Sequence, residues 1–334
     1  MLCLFLPSGA SIYRSQNSRQ TSSHCWYTMT TIAIKNTNWY LNNQITYPNA
    51  PAQGLLMNVR MVNATFEDRN RTDFDPNANT DSFIAHIPHY HAHGIRAFTL
   101  CLQGGMPDYE GALNSAFDPD GSLRPTYLDR VARVIRACDK HGIAIILGCY
   151  YQRQDQVLKD ADAIRQGIIN TAQWIKDQKF TNVMIEVANE YAHRGFTHDI
   201  IRDPEGQVEL INLAKQTAPQ LIVTTSGMGS GRTADRISEV ADFIIIHFNN
   251  TDIADVPERI EALKHIGKPI LCNEDTKINA RGAEVASLCV AHRCSWGLMR
   301  RTINQSYPFE FKGAKDDPQT YKRLKELTTA QDPS

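Results

Sequence analysis

The segment VMIEVANE, residues 183–190, is an apolar run that ends in an amide followed by a carboxylate. The segment PILCNE, residues 269–274, ends in the same two residues. Short apolar runs of this kind are typical of parallel strands that are covered on both faces. The two Asn-Glu pairs are 84 residues apart, which is about three strand–helix units of roughly 30 residues in a parallel barrel. We therefore predict that both carboxylates lie at carboxyl ends of strands, on one rim.

Strand-like runs alternate with helical patterns from residue 54 onward, which predicts βα units around a parallel sheet. We predict strands over residues 54–63, 95–102, 143–150, 182–188, 221–226, 242–248, 269–272 and 295–300. Apolar periodicity predicts one helix that begins at Pro125 and ends before Gly142, and others over 81–93, 158–178, 206–217, 232–240, 255–266, 282–292 and 318–328.

Eight strands and eight helices in one run favour an α/β protein with a closed (β/α)8 TIM barrel as its single domain. The alternative is an open doubly wound sheet, which usually has a glycine-rich phosphate loop after its first strand. Here the first strand leads into ATFED, residues 64–68, which has no such loop. We assign residues 46–330 to the barrel. Residues 1–45 are predicted to be a disordered or poorly ordered extension, with Met29 as an alternative start.

The composition is that of an ordinary globular protein. The 334 residues are 42% hydrophobic and 21% charged, with a net charge of −1, so no strong field favours nucleic acid or anionic lipid as a partner. The sequence contains no run of 18 apolar residues, so it predicts no membrane-spanning helix. The eight cysteines include no CxxC pair, and this usage indicates a reducing compartment, with a lean to the cytoplasm. No cofactor is predicted.

The predicted rim combines acids, amides, aromatic rings and a histidine, a mixture that suits a carbohydrate. Two carboxylates that face each other across a cleft are what cleavage of a glycosidic bond requires. We therefore predict Glu190 and Glu274 as catalytic residues. The predicted substrate-binding residues are Asn189, His247, Trp296, Arg60, Gln103, Tyr151 and Asn273. Glu186 lies in the middle of its strand, and we interpret it as a structural acid paired with a basic residue.

Over residues 50–330 the chain resembles glycoside hydrolase clan A, the retaining (β/α)8 enzymes that include the family 5 cellulases and mannanases, and also a cellulase-like bacterial group. The resemblance implies Glu190 as the acid/base at the end of the fourth strand and Glu274 as the nucleophile at the end of the seventh. It also implies that Asn189 binds the sugar 2-hydroxyl. A His or Tyr on the sixth strand and a Trp on the eighth are common in the clan, and His247 and Trp296 match them.

Two features depart from family 5. Its enzymes often have an arginine late on the second strand, whereas Arg96 begins that strand here, and Arg60 on the first strand is a possible substitute. Asp275 follows the predicted nucleophile, whereas apolar residues are frequent at this point in family 5. The implied mechanism also needs a protonated Glu190, and we expect repulsion from Glu274 together with partial burial to keep it protonated near neutral pH.

Two other functions stay open at this point. One is a catalytically inactive barrel that binds carbohydrate or a protein, which a carboxyl separation beyond about 10 Å would favour. The other is a metal-dependent hydrolase, for which His193, His198 and His247 are the available rim histidines. We predict no metal, and the oligomeric state is not predicted.

Overall fold

The computed structural model describes residues 29–104 and 111–331. The described chain begins with three short antiparallel strands, β1 (Ile32–Lys35), β2 (Asn38–Leu41) and β3 (Gln44–Ile45). Residues 29–45 therefore correct the prediction of a poorly ordered extension, and residues 1–28 lie outside the described residues. Asparagines at positive φ make the tight turns between these strands, for example Asn36 at 56° and Asn43 at 63°, a conformation that asparagine tolerates better than most residues.

A closed parallel barrel follows, which confirms the predicted (β/α)8 fold. Its strands are β4 (Asn58–Arg60), β5 (Ala97–Cys101), β6 (Ala144–Tyr150), β7 (Val183–Ala188), β8 (Val223–Thr224), β9 (Ile244–His247), β10 (Ile270–Glu274), β11 (Cys294–Ser295) and β12 (Gly297–Leu298). The last two are pieces of one strand, interrupted at Trp296. The sheet β12-β4-β5-β6-β7-β8 meets the sheet β11-β10-β9 through the parallel bridges Ser226–Ile245 and Asp275–Leu298, which close the barrel.

Helices surround the barrel at the predicted places, with one further short helix over Asp199–Arg202 that was not predicted. They are α1 (Pro76–His91), α2 (Pro125–Asp139), α3 (Ala161–Asp177), α4 (Asp199–Arg202), α5 (Pro204–Thr217), α6 (Asp235–Val240), α7 (Val256–Glu261), α8 (Asn279–Ala291) and α9 (Pro318–Thr328). Proline lies in the first turn of five of them, where its missing N–H costs no hydrogen bond. None of the helices in the described part of the chain has the length and apolarity that crossing a bilayer requires.

The interior of the barrel changes from apolar to polar along its axis. At the amino-terminal end, side chains such as Leu56, Ile146 and Phe243 form one buried cluster. Trp39 of β2 is fully buried in that cluster, and its ring meets Phe243 edge-on at 5.0 Å. The N-terminal strands therefore cover the bottom of the barrel, while polar side chains occupy its carboxyl end.

Candidate active site

A cavity of about 370 Å³ opens at the carboxyl ends of the barrel strands. It is lined by the segments that follow β6, β7, β9, β10 and β12, and both Glu190 and Glu274 reach it. The carboxyl ends of parallel strands share one rim, so residues remote in sequence meet there. The two predicted carboxylates are thus brought together in one cavity.

Glu190, Glu274 and His247 form a compact group. One side-chain atom from each lies within 4.8 Å of the other two. Nδ1 of His247 is 3.1 Å from Oε1 of Glu190 and 3.6 Å from Oε2 of Glu274. The imidazole is fully buried, so it contacts both carboxylates from beneath the cavity.

Glu190 is held by its backbone as well as by His247. Its φ is +50°, a left-handed conformation that is uncommon outside glycine and costs on the order of 1 kcal/mol. The N–H of Glu190 donates to Oγ of Ser226 at 2.9 Å, and its carbonyl accepts from the N–H of His193 at 2.7 Å. These two contacts fix the turn that aims the side chain into the cavity.

Glu274 is aimed by a bulge and by two polar neighbours. The pairing of β10 with β9 shifts between Cys272 and Glu274, so that Glu274 lies level with His247. Nε of Arg60 is 2.9 Å from Oε2 of Glu274, and Nδ2 of Asn249 donates to Oε1 of Glu274. Because Arg60 is fully buried, its charge acts on the carboxylate with little screening by water.

Arg60 also links the two Asn-Glu motifs. Its second guanidinium arm donates to Oδ1 of Asn189 at 2.7 Å, and Nδ2 of Asn189 donates to Gln152 at 3.1 Å. Burial lowers the pKa of Arg60, but the charge of Glu274, together with smaller effects of Tyr151, Cys101 and Glu186, raises the net pKa above its ordinary value. The guanidinium therefore stays charged beside Glu274.

The protonation of Glu190 differs from the prediction. Burial raises the pKa of this carboxyl, but the hydrogen bond and charge of His247, with smaller effects of Arg60 and His193, bring the net pKa below its ordinary value. Burial lowers the pKa of His247, while Glu274 and Glu190 raise it, and the net pKa is above 6.5. The expectation of a Glu190 pKa raised towards neutrality is therefore wrong, because the hydrogen bond and charge of His247 favour the ionised carboxylate.

Tyr151 lines the cavity, as predicted, with 4% of its surface exposed. The guanidinium carbon of Arg60 lies 5.9 Å from the centre of its ring. Burial raises the pKa of Tyr151 above its ordinary value, although Arg60 lowers it. The phenol is therefore a neutral group at the wall of the cavity.

Trp296 does not reach the cavity, which corrects its assignment as a sugar-binding residue. It is fully buried in the layer between barrel and helices, where Nε1 donates to Oδ2 of Asp275 at 3.0 Å. Side chains alternate between the two faces of a strand, and in this strand Gly297 rather than Trp296 faces inward. A Cβ at Gly297 would lie 2.1 Å from Oδ1 of Asn58, so the interior has no room for a larger residue there.

Gln103 and Asn273 are also placed away from the cavity and are corrected as substrate-binding residues. Nε2 of Gln103 donates to Ser115 and to the carbonyl of Gln154, so the residue ties loops together. Nδ2 of Asn273 donates to Oε2 of Glu186 at 3.0 Å, inside the barrel. Glu186 is fully buried, and among described residues its partner is this amide rather than the basic side chain predicted for it.

Several cavity residues were not among the predicted set. Asn249 lies two residues beyond His247, so strand alternation was a usable signal for it. Arg153, Met299 and Arg301 also line the cavity, but they lie on irregular segments beyond the strand ends. No periodicity in the sequence specifies the direction of such side chains.

Among the described residues, one group could offer three ligand atoms to a metal ion. It consists of Glu190, His247 and Glu274. Arg60 already supplies a positive charge 2.9 Å from Glu274, which opposes a cation at that oxygen. The other rim histidines bind protein groups: Nδ1 of His193 accepts from the N–H of Gly195, and Nδ1 of His198 lies 2.9 Å from Asp155.

Neither a protein-family model nor a curated protein matches this chain in sequence. Solved structures match it in fold. A GH5-4 broad specificity endoglucanase from Clostridium longisporum superimposes with a TM-score of 0.61 at 10% identity, over 82% of this chain and 96% of the endoglucanase. A GH5 family lichenase from Caldicellulosiruptor sp. F32 superimposes with a TM-score of 0.59 at 12% identity, over 90% of this chain and 100% of the lichenase.

A third similar structure is ZgEngAGH5_4 in complex with a cellotriose, with a TM-score of 0.55 at 13% identity over 84% of this chain and 98% of its own. At these identities the similarity establishes the fold. The chain has the TIM-barrel fold of the family 5 glycoside hydrolases, as its Asn-Glu motifs predict.

Proposed function

We propose that this protein is a retaining glycoside hydrolase in which Glu190 is the acid/base and Glu274 the nucleophile. The observation that carries the proposal is that one carboxylate oxygen of Glu190 and one of Glu274 lie within 4.8 Å of each other in a rim cavity. Retaining enzymes hold their carboxyl groups about 5–5.5 Å apart, whereas inverting enzymes need about 6.5–9.5 Å to admit a water molecule. The separation therefore favours direct attack by a carboxylate.

The contacts of Glu274 suit a nucleophile. Nε of Arg60 is 2.9 Å from Oε2 of Glu274, and the Asn249 amide donates to Oε1. Together they restrict the side chain to an orientation with a lone pair towards the cavity. Positioning of this kind converts a bimolecular attack into an effectively unimolecular step.

The contacts of Glu190 suit a group that exchanges a proton. Nδ1 of His247 lies 3.1 Å from Oε1 of Glu190, within reach of a proton transfer. A sugar in the cavity excludes water, and burial is the largest factor that raises the pKa of Glu190. Substrate binding thus moves the proton from Nδ1 of His247 to Glu190, which then faces the leaving oxygen as an acid.

The reaction proceeds in two displacements. A Glu274 oxygen bonds to the anomeric carbon as the glycosidic C–O bond breaks, and the leaving oxygen takes the proton of Glu190. Water then attacks the anomeric carbon of the glycosyl ester, gives its proton to Glu190, and restores the Glu274 carboxylate. The substrate class that we propose is therefore a carbohydrate.

The test is hydrolysis of a panel of aryl glycosides, with the anomer of the first product followed by NMR. We expect product of the same anomeric configuration as the substrate, and a loss of about 10³-fold or more in kcat/KM for Glu190→Gln and Glu274→Gln. The matched control is Glu284→Gln, because Glu284 is exposed on α8. If both cavity variants retained full activity, or if the first product were inverted, the proposal would fail.

A further inference from the structure

A second cavity, of about 420 Å³, lies at the amino-terminal end of the barrel. Its wall is formed by the N-terminal strands up to Pro48, by the ends of α1 and α9 and by the segment after α2. Arg96 and Gly142, which line it, come just before β5 and β6, so the cavity is on the face opposite to the rim that carries Glu190 and Glu274. A ligand in this cavity would therefore be independent of the proposed hydrolase activity.

Three basic side chains line this cavity. They are His91 at the end of α1, Arg96 before β5 and His141 after α2. The centres of the two imidazole rings are 6.1 Å apart. None of the described residues that line the cavity is an aspartate or a glutamate. Basic groups from three separate segments thus face one space that has no acid in its described wall.

Arg96 uses only part of its guanidinium within the protein. Nη1 donates to the carbonyls of His91 at 3.0 Å and Ile95 at 2.9 Å, and the guanidinium carbon lies 5.7 Å from the centre of the Tyr47 ring. Nη1 thereby binds a carbonyl at the end of α1, whose partial negative charge would oppose an anion. Nη2 and Nε have no acceptor in the described part of the chain, so two donor groups are left for a ligand.

The two imidazoles also lack protein partners. Neither ring forms a hydrogen bond or an ion pair with a described residue. Burial, followed by the charges of Arg96 and His141, lowers the pKa of His91 to about 4, and no acid counteracts this effect. A negative charge placed between these groups would relieve their mutual repulsion.

The acids outside the described ranges are few. Residues 1–28 contain no Asp or Glu, and residues 105–110 follow the carboxyl end of β5, which is at the opposite face. The remaining acid is Asp332, directly after the last described residue, Gln331. One of the variants below is designed to test it.

We propose that this cavity binds a small molecule with an oxyanion group, such as a phosphate, sulfate or carboxylate, through Arg96 and the protonated imidazoles of His91 and His141. Guanidinium forms paired hydrogen bonds with oxyanions, and hydrogen bonds between charged groups are stronger than neutral ones. Sites for small molecules have volumes of roughly 300–1,000 Å³, so a cavity of about 420 Å³ suits a small molecule rather than a polymer.

Binding should depend on pH through His91. A bound anion favours the protonated ring, so binding takes up a proton and tightens as the pH falls. Arg96 and His141 are the charged or titratable groups that act on His91. Tyr47 stays neutral because burial raises its pKa, and Asp139, near His141 in the chain, accepts from the N–H of Thr30.

The test is calorimetric titration of the full chain with sulfate, whose charge is constant over the pH range used. We expect the Kd for sulfate to be at least about fivefold lower near pH 5.5 than near pH 8, with proton uptake on binding. Chloride at equal ionic strength is the reference for general screening. Titrations with phosphate and malonate then show whether a tetrahedral or a planar oxyanion binds more tightly.

His91→Gln, His141→Gln and Arg96→Gln supply the residue-level test. We expect each to weaken sulfate binding about fivefold or more near pH 5.5, since one charge-assisted contact is lost. Arg96→Gln also removes a donor from the end of α1, so the histidine variants serve if it does not fold. Lys140→Gln is the matched control, because Lys140 is exposed beside His141 but does not line the cavity.

Sulfate binding no tighter than that of chloride, or equal affinity at both pH values, would overturn the proposal. Unchanged affinity in both histidine variants would also overturn it, as would an equal loss in Lys140→Gln, because the effect would then come from the general field at this face. Asp332→Asn should leave the Kd unchanged. A tenfold gain in affinity for that variant would mean that a carboxylate of the chain itself occupies the cavity, and the proposed external ligand would fail.

Discussion

Replacing His247 with asparagine tests how the site holds its proton. The Nδ2 of asparagine occupies about the position of the imidazole Nδ1, so the variant can still donate to Glu190, but it has no titratable charge. In the native protein the net pKa of His247 lies above 6.5, and that of Glu190 lies below its ordinary value. The pair therefore holds a proton to higher pH than Glu190 alone would.

The size of the effect follows from the geometry. At 3.1 Å between Nδ1 and the carboxylate, Coulomb's law with an effective dielectric constant of about 20 gives roughly 5 kcal/mol of attraction. Without it, burial raises the pKa of Glu190 while Arg60 and His193 lower it, so Glu190 releases its proton in the ordinary acidic range. We expect the alkaline limb of the pH–rate profile to move down by about two units, from above the ordinary imidazole value of 6.5 towards the ordinary carboxyl value of 4.5.

The assay is the pH dependence of kcat/KM, which reports protonation in the free enzyme. Two substrates with the same sugar are compared: an aryl glycoside with a poor leaving group and one with dinitrophenolate. At pH 7.5 a shift of two units lowers kcat/KM about 100-fold for the poor leaving group. The dinitrophenyl substrate needs no protonation, so its rate of cleavage should change little.

Stability provides an independent measurement of the same charge. Because the folded-state pKa of His247 is raised, its contribution is fully present below pH 6.5 and is lost as the pH rises through the folded value. The difference in unfolding free energy between the native protein and the variant should therefore decrease at alkaline pH. If the alkaline limb stayed in place, or if both leaving groups lost equal rate, His247 would not hold the catalytic proton.

Other residues give separate expectations. Arg60→Met leaves the buried Glu274 carboxylate without its cation, so we expect a loss of about 3–5 kcal/mol in unfolding free energy and an equal loss of rate for both leaving groups; unchanged stability would contradict the pairing. Trp296→Phe removes the hydrogen bond to Asp275 and should cost about 1–3 kcal/mol in thermal or chemical unfolding, while KM stays within about twofold because the ring is outside the cavity. Trp39→Ala leaves a void at the bottom of the barrel, and we expect a loss of about 3–5 kcal/mol in unfolding experiments with the cavity intact; a small loss would mean that the N-terminal strands are peripheral.

The fold could be predicted because each barrel strand is covered on both faces. The run from Val183 to Ala188 is almost uniformly apolar, and it forms a strand that is buried throughout. The N-terminal strands were missed for the opposite reason. They are two to four residues long and partly exposed, so their apolar pattern is short, and the asparagines that make their turns resemble a polar linker.

The sequence predicted correctly those cavity residues that directly follow a buried strand. Glu190 and Glu274 follow directly from buried strands, so the closed barrel brings them to one rim. Trp296 was misplaced because the eighth strand is short and its phase depends on Gly297, a residue whose packing against Asn58 no sequence pattern reveals. A shift of one residue in strand register moves each side chain to the other face of the sheet. An apolar run does not specify the register to within one residue.

The protonation of the acids could not be predicted from the residues alone. Two carboxylates in a cleft were expected to repel each other and to retain a proton. The structure adds Arg60 and His247 beside them, two basic groups whose positions depend on the first and sixth strands. The pKa of Glu190 is therefore lowered rather than raised, because the hydrogen bond and charge of His247 favour the ionised carboxylate.

The central claim is that Glu274 forms a covalent bond to the sugar while Glu190 serves as acid and base. The most direct measurement is mass spectrometry of the protein after reaction with a dinitrophenyl 2-deoxy-2-fluoroglycoside, which slows release of the glycosyl ester, followed by mapping of the modified peptide. We expect one sugar per chain, attached at Glu274, and no labelling of Glu274→Gln. Labelling at Glu190 or at another residue, or turnover without any adduct and with inversion at the anomeric carbon, would contradict it.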